Sequence, residues 1–546
     1  MKLNYKRTIF VGFAFFLISA FWQAYDNTIP LILTNKFGLS QTASGVIMAL
    51  DNVLALFMLP IFGALSDRRN SKMGKRTPFI LVGTLIAATA FVGLSFVDNM
   101  QLKNIADITS IDDPAALEII YDSQASAELK TPDGSVFVLE EEFTKEEFCS
   151  ISSQLLVTDG EVLRADEEEY LLADRFNDKE WEDVNKHADG KAFTNPHYTD
   201  YVVPARQANA WQTTAESPAT LIFFILLLLV ALVSMATFRS PAVALMPDVT
   251  IKPLRSKANS IINLMGSAGG ILVLVLGMVF ATSAVKNSLM SYTLYFSVIA
   301  GIMLTALAIF LWKVREPKFV AEMREQSKRH GIEEGGDDNA AKRKLSGGEV
   351  RSLIFLLASI ILWFMGYNAV TSKYSVYASN ILNKDYNLTL IIAQAAAIIS
   401  YLPVGIISSK IGRKKAILSG IIMLGTAFLV ACFLRESSPT MLMNCMFALA
   451  GIGWATINVN SFPMVVEMCR GGDVGKYTGI YYTASMAAQT VTPMFSGMLM
   501  DKFGMTTLFP YAAVFVGCAF VTMIFVMHGD NKPTAKRGLE ALDVED

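Results

Sequence analysis

The chain has 546 residues, of which 53% are hydrophobic and 17% are charged, whereas soluble proteins average about 45–50% apolar and about 25% charged residues. Residues 98–216 contain 27 of the 49 acidic residues but only 9 of the 46 basic ones, so this segment carries −18 and the rest of the chain +15. This composition excludes an ordinary soluble globule and an intrinsically disordered chain.

Apolar runs dominate both ends of the chain. A helix that crosses a bilayer core of about 30 Å needs about 20 apolar residues. Runs of that size predict twelve transmembrane helices, at 8–31, 42–65, 78–97, 217–239, 257–281, 291–312, 353–377, 386–408, 416–433, 439–462, 477–499 and 508–528. The first run follows the basic stretch MKLNYKR, as a signal peptide would. It is too long for one and lacks a clear cleavage site, so we expect a retained helix.

The distribution of Lys and Arg predicts the orientation, because cytoplasmic loops carry an excess of both. Most basic residues outside 98–216 fall in the segments 1–7, 66–77, 240–256, 313–352, 409–415, 463–476 and 529–546. The five short loops on the other side hold one each: Lys36, Lys286, Lys384, Arg435 and Lys502. We therefore expect a multi-pass protein of the plasma (cytoplasmic) membrane with both termini cytoplasmic and residues 98–216 extracytoplasmic.

The acidic segment 98–216 lies between the third and fourth runs. GSVFVLEEEF and SQLLVTDGEVL alternate apolar and polar residues, which is typical of short strands, and LRADEEEYLLADRF predicts an acidic helix. We expect a small folded α+β insertion with His187 and His197 on its surface. Its single Cys149 cannot form an internal disulfide. No metal-ligand spacing, nucleotide-binding glycine loop or nucleophile constellation is present, so we expect no enzyme, no metal site and no cofactor beyond a coupling proton or sodium ion.

Two loops repeat a motif at equivalent positions. GALSDRRNSKMGKRTP follows the second run and GIISSKIGRKK follows the eighth, and each places a glycine near a helix end before a basic turn with a second glycine. A weaker echo places Asp248 after the fourth run and Glu467 after the tenth. Such internal repetition is typical of secondary transporters. It predicts two six-helix bundles, 1–97 with 217–312 and 353–528, joined by a cytoplasmic linker at 313–352 and followed by a tail at 529–546.

The first loop motif resembles that of the major facilitator superfamily. Its lengthened form, DRRNSKMGKRTP, together with FRSPAVALMPDVT and GKYTGIYY, resembles the glycoside-pentoside-hexuronide:cation symporters and the sucrose/proton-symporter-like group. The resemblance covers everything except 98–216, and Ser409 stands where the second motif of the family has an acid. It implies alternating access. It also implies a gating role for the motif residues, which are Gly63, Asp67, Arg68, Gly74, Lys75, Arg76, Asp248, Gly405, Gly412, Arg413 and Glu467. Plain positive-inside topology is the alternative reading of their charges.

Ionisable groups inside the bilayer are costly and therefore mark functional sites. Asp26 in the first run and Asp51 in the second lie at similar depth, and Asn52 follows Asp51 with a further oxygen that can coordinate a cation. The resemblance implies cation coupling by Asp51 and sugar binding by Asp26; a structural polar cluster is the alternative. Lys373 either pairs with one of these acids, replaces a metal cation, or snorkels to the interface. We expect Arg239 to snorkel or to bind a gate acid.

A sugar needs hydrogen-bond partners and an aromatic face. Besides Asp26 and Lys373, the polar and aromatic candidates within the runs are Trp22, Gln23, Tyr25, Asn263, Trp363, Asn368, Gln394, Trp454, Asn458 and Gln489. The alternatives are amide contacts between helices and tryptophans that anchor the interface.

The predicted function is symport of a sugar or glycoside with a proton or sodium ion by a monomer that contacts lipid and binds no nucleic acid. A proton-coupled exporter of drugs or organic ions is the nearest alternative. A receptor that binds a ligand with the insertion, without transport, is the alternative from another class. It does not explain two matched gate motifs.

Overall fold

The computed structural model describes residues 3–69, 71–105, 111–158, 161–164, 168–176, 181, 184, 192–251, 254–329, 346–467 and 474–528. Twelve long helices correspond to the twelve apolar runs. In chain order they are α1 Tyr5–Asn35, α2 Gln41–Arg68, α3 Thr77–Ile105, α4 Ala219–Val249, α5 Arg255–Val279, α6 Thr293–Lys313, α7 Gly347–Tyr377, α8 Tyr386–Ile411, α9 Arg413–Ala431, α10 Thr440–Glu467, α11 Val474–Phe503 and α12 Leu508–Ile524. The predicted polytopic helical fold is confirmed.

Within the described residues, ten of these helices are long and apolar enough to cross a membrane. The other two are α8, whose apolar part is the shorter stretch Tyr386–Tyr401, and α11, which contains the polar sequence YTASMAAQTVT. A further helix, Glu316–Arg329, follows α6 within the predicted linker.

The long helices form two bodies with separate hydrophobic cores, and we call them the N-half (α1–α6) and the C-half (α7–α12). In the N-half α1 packs on α5 and α3 on α4; in the C-half α7 packs on α12, and α10 on α8 and α9. The halves meet along α2 with α11 and along α5 with α8. Since α8 and α11 occupy the positions in the second half that α2 and α5 occupy in the first, the two seams are equivalent, as an internal repeat requires.

Glycines allow the backbones of α2 and α11 to touch. A Cβ atom on Gly45 would lie 2.1 Å from the carbonyl oxygen of Pro493, and one on Gly497 would lie 2.2 Å from that of Gln41. Real Cβ atoms do not approach other atoms so closely, so any side chain here would force the helices apart. Small residues at such contacts are the usual means of close helix packing in membranes.

The insertion has its own hydrophobic core and confirms the predicted α+β fold. Its strands are β1 Glu128–Lys130, β2 Val136–Val138, β3 Gln154–Thr158, β4 Glu161–Arg164 and β5 Phe193–Thr194. β1 pairs with β2, and β3 pairs antiparallel with β4 and β5, with Val157 opposite Val162 and Leu155 opposite Phe193. Its helical segments are Pro114–Gln124, Leu139–Glu142, Lys145–Ser150, Ala173–Arg175, Tyr198–Val202 and Val203–Glu216.

Two expectations for the insertion are wrong. The described residues of LRADEEEYLLADRF, 163–164 and 168–176, do not form the expected helix: the sequence begins in β4, Leu163 forms a bridge with Glu169, and Ala173–Arg175 makes a single 3-10 turn. Here the antiparallel pairing of β4 with β3 outweighs the helical preference of the glutamates. His197 is not a surface residue, since its side chain is 3% exposed; His187 lies outside the described residues.

His197 lies in an aromatic cluster. Its ring is 4.6 Å from the ring of Phe176, and its Nδ1 is 2.9 Å from the hydroxyl of Tyr170. Burial, assisted by the positive charge of Arg175, lowers the pKa of His197 to about 4. The imidazole is therefore neutral in the folded insertion at neutral pH.

The insertion is joined firmly to the N-half. α3 continues to Ile105, past the predicted start of the insertion at 98. The side-chain amide of Gln101 donates to the carbonyl of Lys36 and to the hydroxyl of Thr214. Gln207 of the last insertion helix donates to Asn35 at the end of α1. These bonds make the insertion and the N-half one body.

The turn between β1 and β2, residues 131–135 (the hairpin turn), rests on the C-half. The backbone N–H of Met505 donates to the carbonyl of Pro132 at 2.8 Å. Gly504 has φ +91°, which favours glycine, and a Cβ atom there would lie 2.4 Å from the carbonyl oxygen of Asp133. The insertion therefore bridges from one half to the other.

Candidate transport site

The helical body has two ends, which we call the insertion end and the loop end. The insertion end carries residues 36–41, 98–105 and 501–507, and the loop end carries residues 66–77 and 313–316. The predicted site residues fall into a central group and two groups near these ends.

The central group contains both predicted intramembrane acids. The carboxylates of Asp26 on α1 and Asp51 on α2 interact electrostatically with each other, and the Arg239 guanidinium attracts both. Asn52 donates to Asp51 Oδ1 at 2.7 Å. Two half-buried acids thus share one arginine, which leaves a single excess negative charge. Arg239, expected to snorkel or to bind a gate acid, interacts with these two central acids.

Aromatic side chains of both halves lie beside these charges. Trp22 is edge-on to Tyr25 at 5.4 Å, and the Arg239 guanidinium carbon is 5.8 Å from the Trp22 ring. In the C-half, Tyr367 stacks on Trp454 with parallel rings 3.6 Å apart. Tyr367 interacts electrostatically with Asp26. The pair from the C-half therefore lies close to the acids of the N-half.

Two donors of the predicted substrate-binding residues have no protein partner. Among the described residues, Trp22 Nε1 and Asn368 Nδ2 are buried and make no hydrogen bond. Gln394 of α8 donates to Gln23 of α1 at 2.6 Å, which links the halves at this level. Buried donors are usually satisfied, and the protein leaves these two unsatisfied in this conformation.

The other predicted substrate contacts are dispersed. Trp363 is fully buried in the hydrophobic core of the C-half. Asn263, Asn458 and Gln489 are half-buried on α5, α10 and α11. Lys373 does not pair with either central acid: it is fully buried near the insertion end, donates to the carbonyl of Gln41 at 2.6 Å, and has Asp501 as its electrostatic partner.

Hydrogen bonds between the halves close the insertion end. The Asp501 carboxylate accepts from the backbone N–H groups of Gln41 and Thr42, both at 2.7 Å, and from the Thr42 hydroxyl. A negative charge at the N-terminus of α2 is favoured by the helix dipole. Across the other seam, Ser283 donates to Asp385 at 2.9 Å. Asp501 is not identifiable from the sequence, because an acid at a helix end has no significance until its partner helix is known.

At the loop end, Arg76 is the centre of the ion pairs. Its guanidinium binds Asp67, and its Nε donates to Asp248 at 2.8 Å. Arg68 is exposed, and Asp67 pairs with Arg76, the last arginine of the motif, and not with its neighbour. All three charges that meet here belong to the predicted gating set.

Glu316, which the sequence analysis also missed, lies beneath this loop. It is 2% exposed and accepts hydrogen bonds from the backbone N–H groups of Lys75, Arg76 and Thr77 and from the Thr77 hydroxyl. Gly74, with φ +111°, packs directly against it. The start of the linker thus fixes the first loop motif at the start of α3.

The remaining gating candidates lie at helix ends. Gly63 faces Ser240 of α4, Lys75 is exposed, and Gly405 and Arg413 are half-buried. Gly412, with φ +93°, separates α8 from α9. The side chains of Glu467 and Ser409 lie outside the described residues.

Comparison with known proteins identifies a family. The family model described as MFS_1 like matches residues 4–511. No curated protein matches the chain by sequence. Among solved structures, the chain is similar to the xylose transporter XylE from E. coli in an inward-open conformation, with 14% identity, 99% of both chains covered and a TM-score of 0.58.

Two further structures have TM-scores of 0.53. One is a D-xylose-proton symporter, with 15% identity over 95% of this chain and 97% of that one. The other is a bacterial homologue of the iron transporter ferroportin in an inward-facing state, with 11% identity over 96% of this chain and 99% of that one. At these identities the likeness shows a common fold and does not select a substrate.

Proposed function

Because the chain belongs to the MFS_1-like family of the major facilitator superfamily, we propose that it is a symporter that carries a sugar or glycoside together with a proton or sodium ion. Membership of the family makes it a secondary transporter, which works without a chemical reaction of its own. The observation that carries the proposal is the cluster of Asp26, Asp51 and Arg239 beside aromatic rings of both halves.

The charges support coupling to a cation. With both acids ionised, one negative charge is left over after Arg239, and an unbalanced charge in the membrane is costly. A proton or sodium ion at the pair removes it, and Asn52 adds an amide at Asp51. A state with the cation bound is then free to change conformation, while a state without it is not. That dependence on the bound cation couples transport of the sugar to transport of the cation.

The neutral and aromatic groups support a sugar. Trp22 Nε1 and Asn368 Nδ2 are donors without partners, and the Tyr367–Trp454 pair offers flat apolar surface of the kind that packs on a sugar ring. These groups come from α1, α7 and α10, so a ligand that touches them contacts both halves. Two of the structures compared above are xylose transporters, although others of the same fold are named for iron or peptide.

Orientation follows from the charge pattern. We assign the insertion end to the extracytoplasmic side, because the basic loops cluster at the other end. The hydrogen bonds of Asp501 and Asp385 then form the extracytoplasmic gate, and the ion pairs of Arg76 lie on the cytoplasmic side. Alternating access requires the first set to break when the site opens outward.

The test is uptake of labelled mono- and disaccharides into proteoliposomes under an imposed pH or sodium gradient. We expect one sugar to accumulate in the wild type. Asp51→Asn should abolish accumulation while sugar exchange at equilibrium persists, since only the cation dependence is removed. Asp122→Asn, an exposed acid of the insertion, is the matched control and should transport normally.

Absence of gradient-driven uptake for every sugar would overturn the sugar assignment. Export of an organic cation against the same gradients would replace it with the exporter alternative. Unchanged accumulation in Asp51→Asn would remove the coupling role of Asp51.

A further inference from the structure

A lysine and an aspartate of the C-half bind the first turn of α2. The ammonium of Lys373 on α7 donates to the carbonyl of Gln41 at 2.6 Å. The carboxylate of Asp501 on α11 accepts from the backbone N–H groups of Gln41 and Thr42, both at 2.7 Å. A cation and an anion of one half therefore bind opposite polar groups of the same helix turn in the other half.

The bond of Lys373 depends on how closely the helices approach each other. Its acceptor is the main-chain oxygen of Gln41, whereas the side-chain Oε1 of Gln41 is buried and has no hydrogen-bond partner. At the same level Gly497 of α11 lies against the Gln41 carbonyl, where a Cβ atom would be only 2.2 Å away. Lys373 therefore reaches α2 because this seam is tightly closed, and the side chain at position 41 does not provide the contact.

The charge of Lys373 is balanced by Asp501. The lysine side chain is fully buried, and Asp501 is the charged group that attracts it. The donors that bind Asp501 are neutral: two backbone N–H groups and the Thr42 hydroxyl. Its negative charge is therefore left to act on the ammonium. Removal of one of two buried opposite charges is strongly unfavourable, because the other is then left without compensation.

Opening of the insertion end would separate these groups from their partners. Lys373 and Asp501 move with the C-half, whereas Gln41 and Thr42 move with the N-half, so all of these bonds break when α2 leaves α7 and α11. Water then reaches both side chains in the open entrance. Burial of a charge is costly without a partner, and hydration removes that cost. The closed state thus needs the charge of Asp501 more than the open state does.

We propose that Lys373 is a gating residue that acts together with Asp501. The two side chains hold the first turn of α2 while the insertion end is closed, and the buried ammonium makes closure depend on the negative charge of Asp501. Lys373 then belongs to the gate and not to the substrate site for which its sequence position made it a candidate. The proposal rests on the proposed alternating access, but on neither the sugar nor the coupling cation.

The test measures how fast a water-soluble maleimide labels a cysteine at position 44 in the purified full-length protein, with the five native cysteines replaced by serine. Ser44 is fully buried one turn into α2, and its hydroxyl has no hydrogen-bond partner. Ser44→Cys therefore loses no contact, and the reagent reaches the thiol only when the insertion end opens. Asp501→Asn should raise the labelling rate by at least about tenfold, because it leaves Lys373 uncompensated in the closed state.

The decisive comparison measures the effect of Asp501→Asn in further backgrounds. In Lys373→Met no buried ammonium remains, so Asp501→Asn should raise the labelling rate by about twofold at most. Lys373→Gln, which keeps a donor for the Gln41 carbonyl but has no charge, should give the same result and replaces Lys373→Met if that variant folds poorly. The matched control is Lys502→Met, an exposed lysine next to Asp501, in which the tenfold effect should persist.

An equal effect of Asp501→Asn in all backgrounds would overturn the proposal, because Asp501 would then act only as a cap of α2. An unchanged labelling rate in Asp501→Asn would overturn it as well. The labelling needs neither sugar nor an ion gradient. Failure of sugar uptake would therefore leave this result intact, and the two proposals can fail separately.

Discussion

Buried His197 predicts that acid destabilises the insertion. The folded insertion holds this imidazole neutral, because burial and Arg175 lower its pKa to about 4. In the unfolded chain the pKa returns to about 6.5. Between these values the unfolded state binds a proton that the folded state does not, so the stability contributed by His197 is lost as the pH falls through this window.

The size of the effect follows from the shift. A difference of about 2.5 pKa units corresponds to about 3 kcal/mol at 1.36 kcal/mol per unit. The full loss is reached near pH 4, and little is lost above pH 7. Carboxylates of the insertion contribute their own dependence below about pH 4.5; Glu147, whose pKa is lowered chiefly by its hydrogen bond from the Thr144 backbone, is one of them.

Hydrogen–deuterium exchange on the full-length protein isolates the histidine. The opening free energy of the segment 193–202 is measured from pH 7 to pH 4 in the wild type and in His197→Phe. The variant loses the contact to Tyr170 and starts less stable, but it has no imidazole to titrate. The opening free energy of the wild type exceeds that of the variant at pH 7, and this excess should fall by about 3 kcal/mol on acidification to pH 4. Parallel pH profiles would refute the argument.

Three further substitutions test the contacts at the two ends. Gly504→Ala, which places a Cβ atom against Asp133 at a left-handed φ, should speed hydrogen exchange in residues 131–135; Gly517→Ala, which meets open space, should not. Asp501→Asn removes the charge that caps α2 and should speed exchange in residues 41–44; slow exchange there would show that the neutral amide suffices. Glu316→Gln should lower the free energy of unfolding by about 2 kcal/mol, because hydrogen bonds to a charged acceptor contribute about 1.5–3 kcal/mol. The control is Glu325→Gln, whose i,i+4 pair is exposed. It should change the unfolding temperature little.

The fold could be predicted from the sequence because each helix carries its own hydropathy signal. The acids at positions 26 and 51 were equally visible, since a charge inside an apolar run is conspicuous. Arg239 could not be recognised as their partner, because a basic residue near the end of an apolar run is also typical of the membrane interface. Asp501 and Glu316 depend on which helix terminus the tertiary structure brings to them, and no local pattern carries that information.

The helix predicted for LRADEEEYLLADRF in the insertion is wrong for a related reason. Glutamate-rich sequence favours helix when nothing else decides, but in β4 the apolar residues find partners across the sheet in β3. A helix there would turn Val162 and Leu163 to different surroundings and lose those pairs. Pairing with the neighbouring strand therefore determines the outcome.

The attachment of the insertion has a mechanical consequence. Both of its ends continue into adjacent helices of one half, α3 and α4, so no covalent link ties it to the other half. Among the described residues, its hold on the C-half consists of reversible contacts: the hairpin turn lies against Phe503–Met505, and the Lys130 ammonium donates to the carbonyl of Asp501 at 3.3 Å. A molecule that grips this turn from outside, such as an antibody fragment, would change the conformational equilibrium of the carrier without entering the transport path, and by reciprocity the carrier would bind it more tightly in one state than in the other.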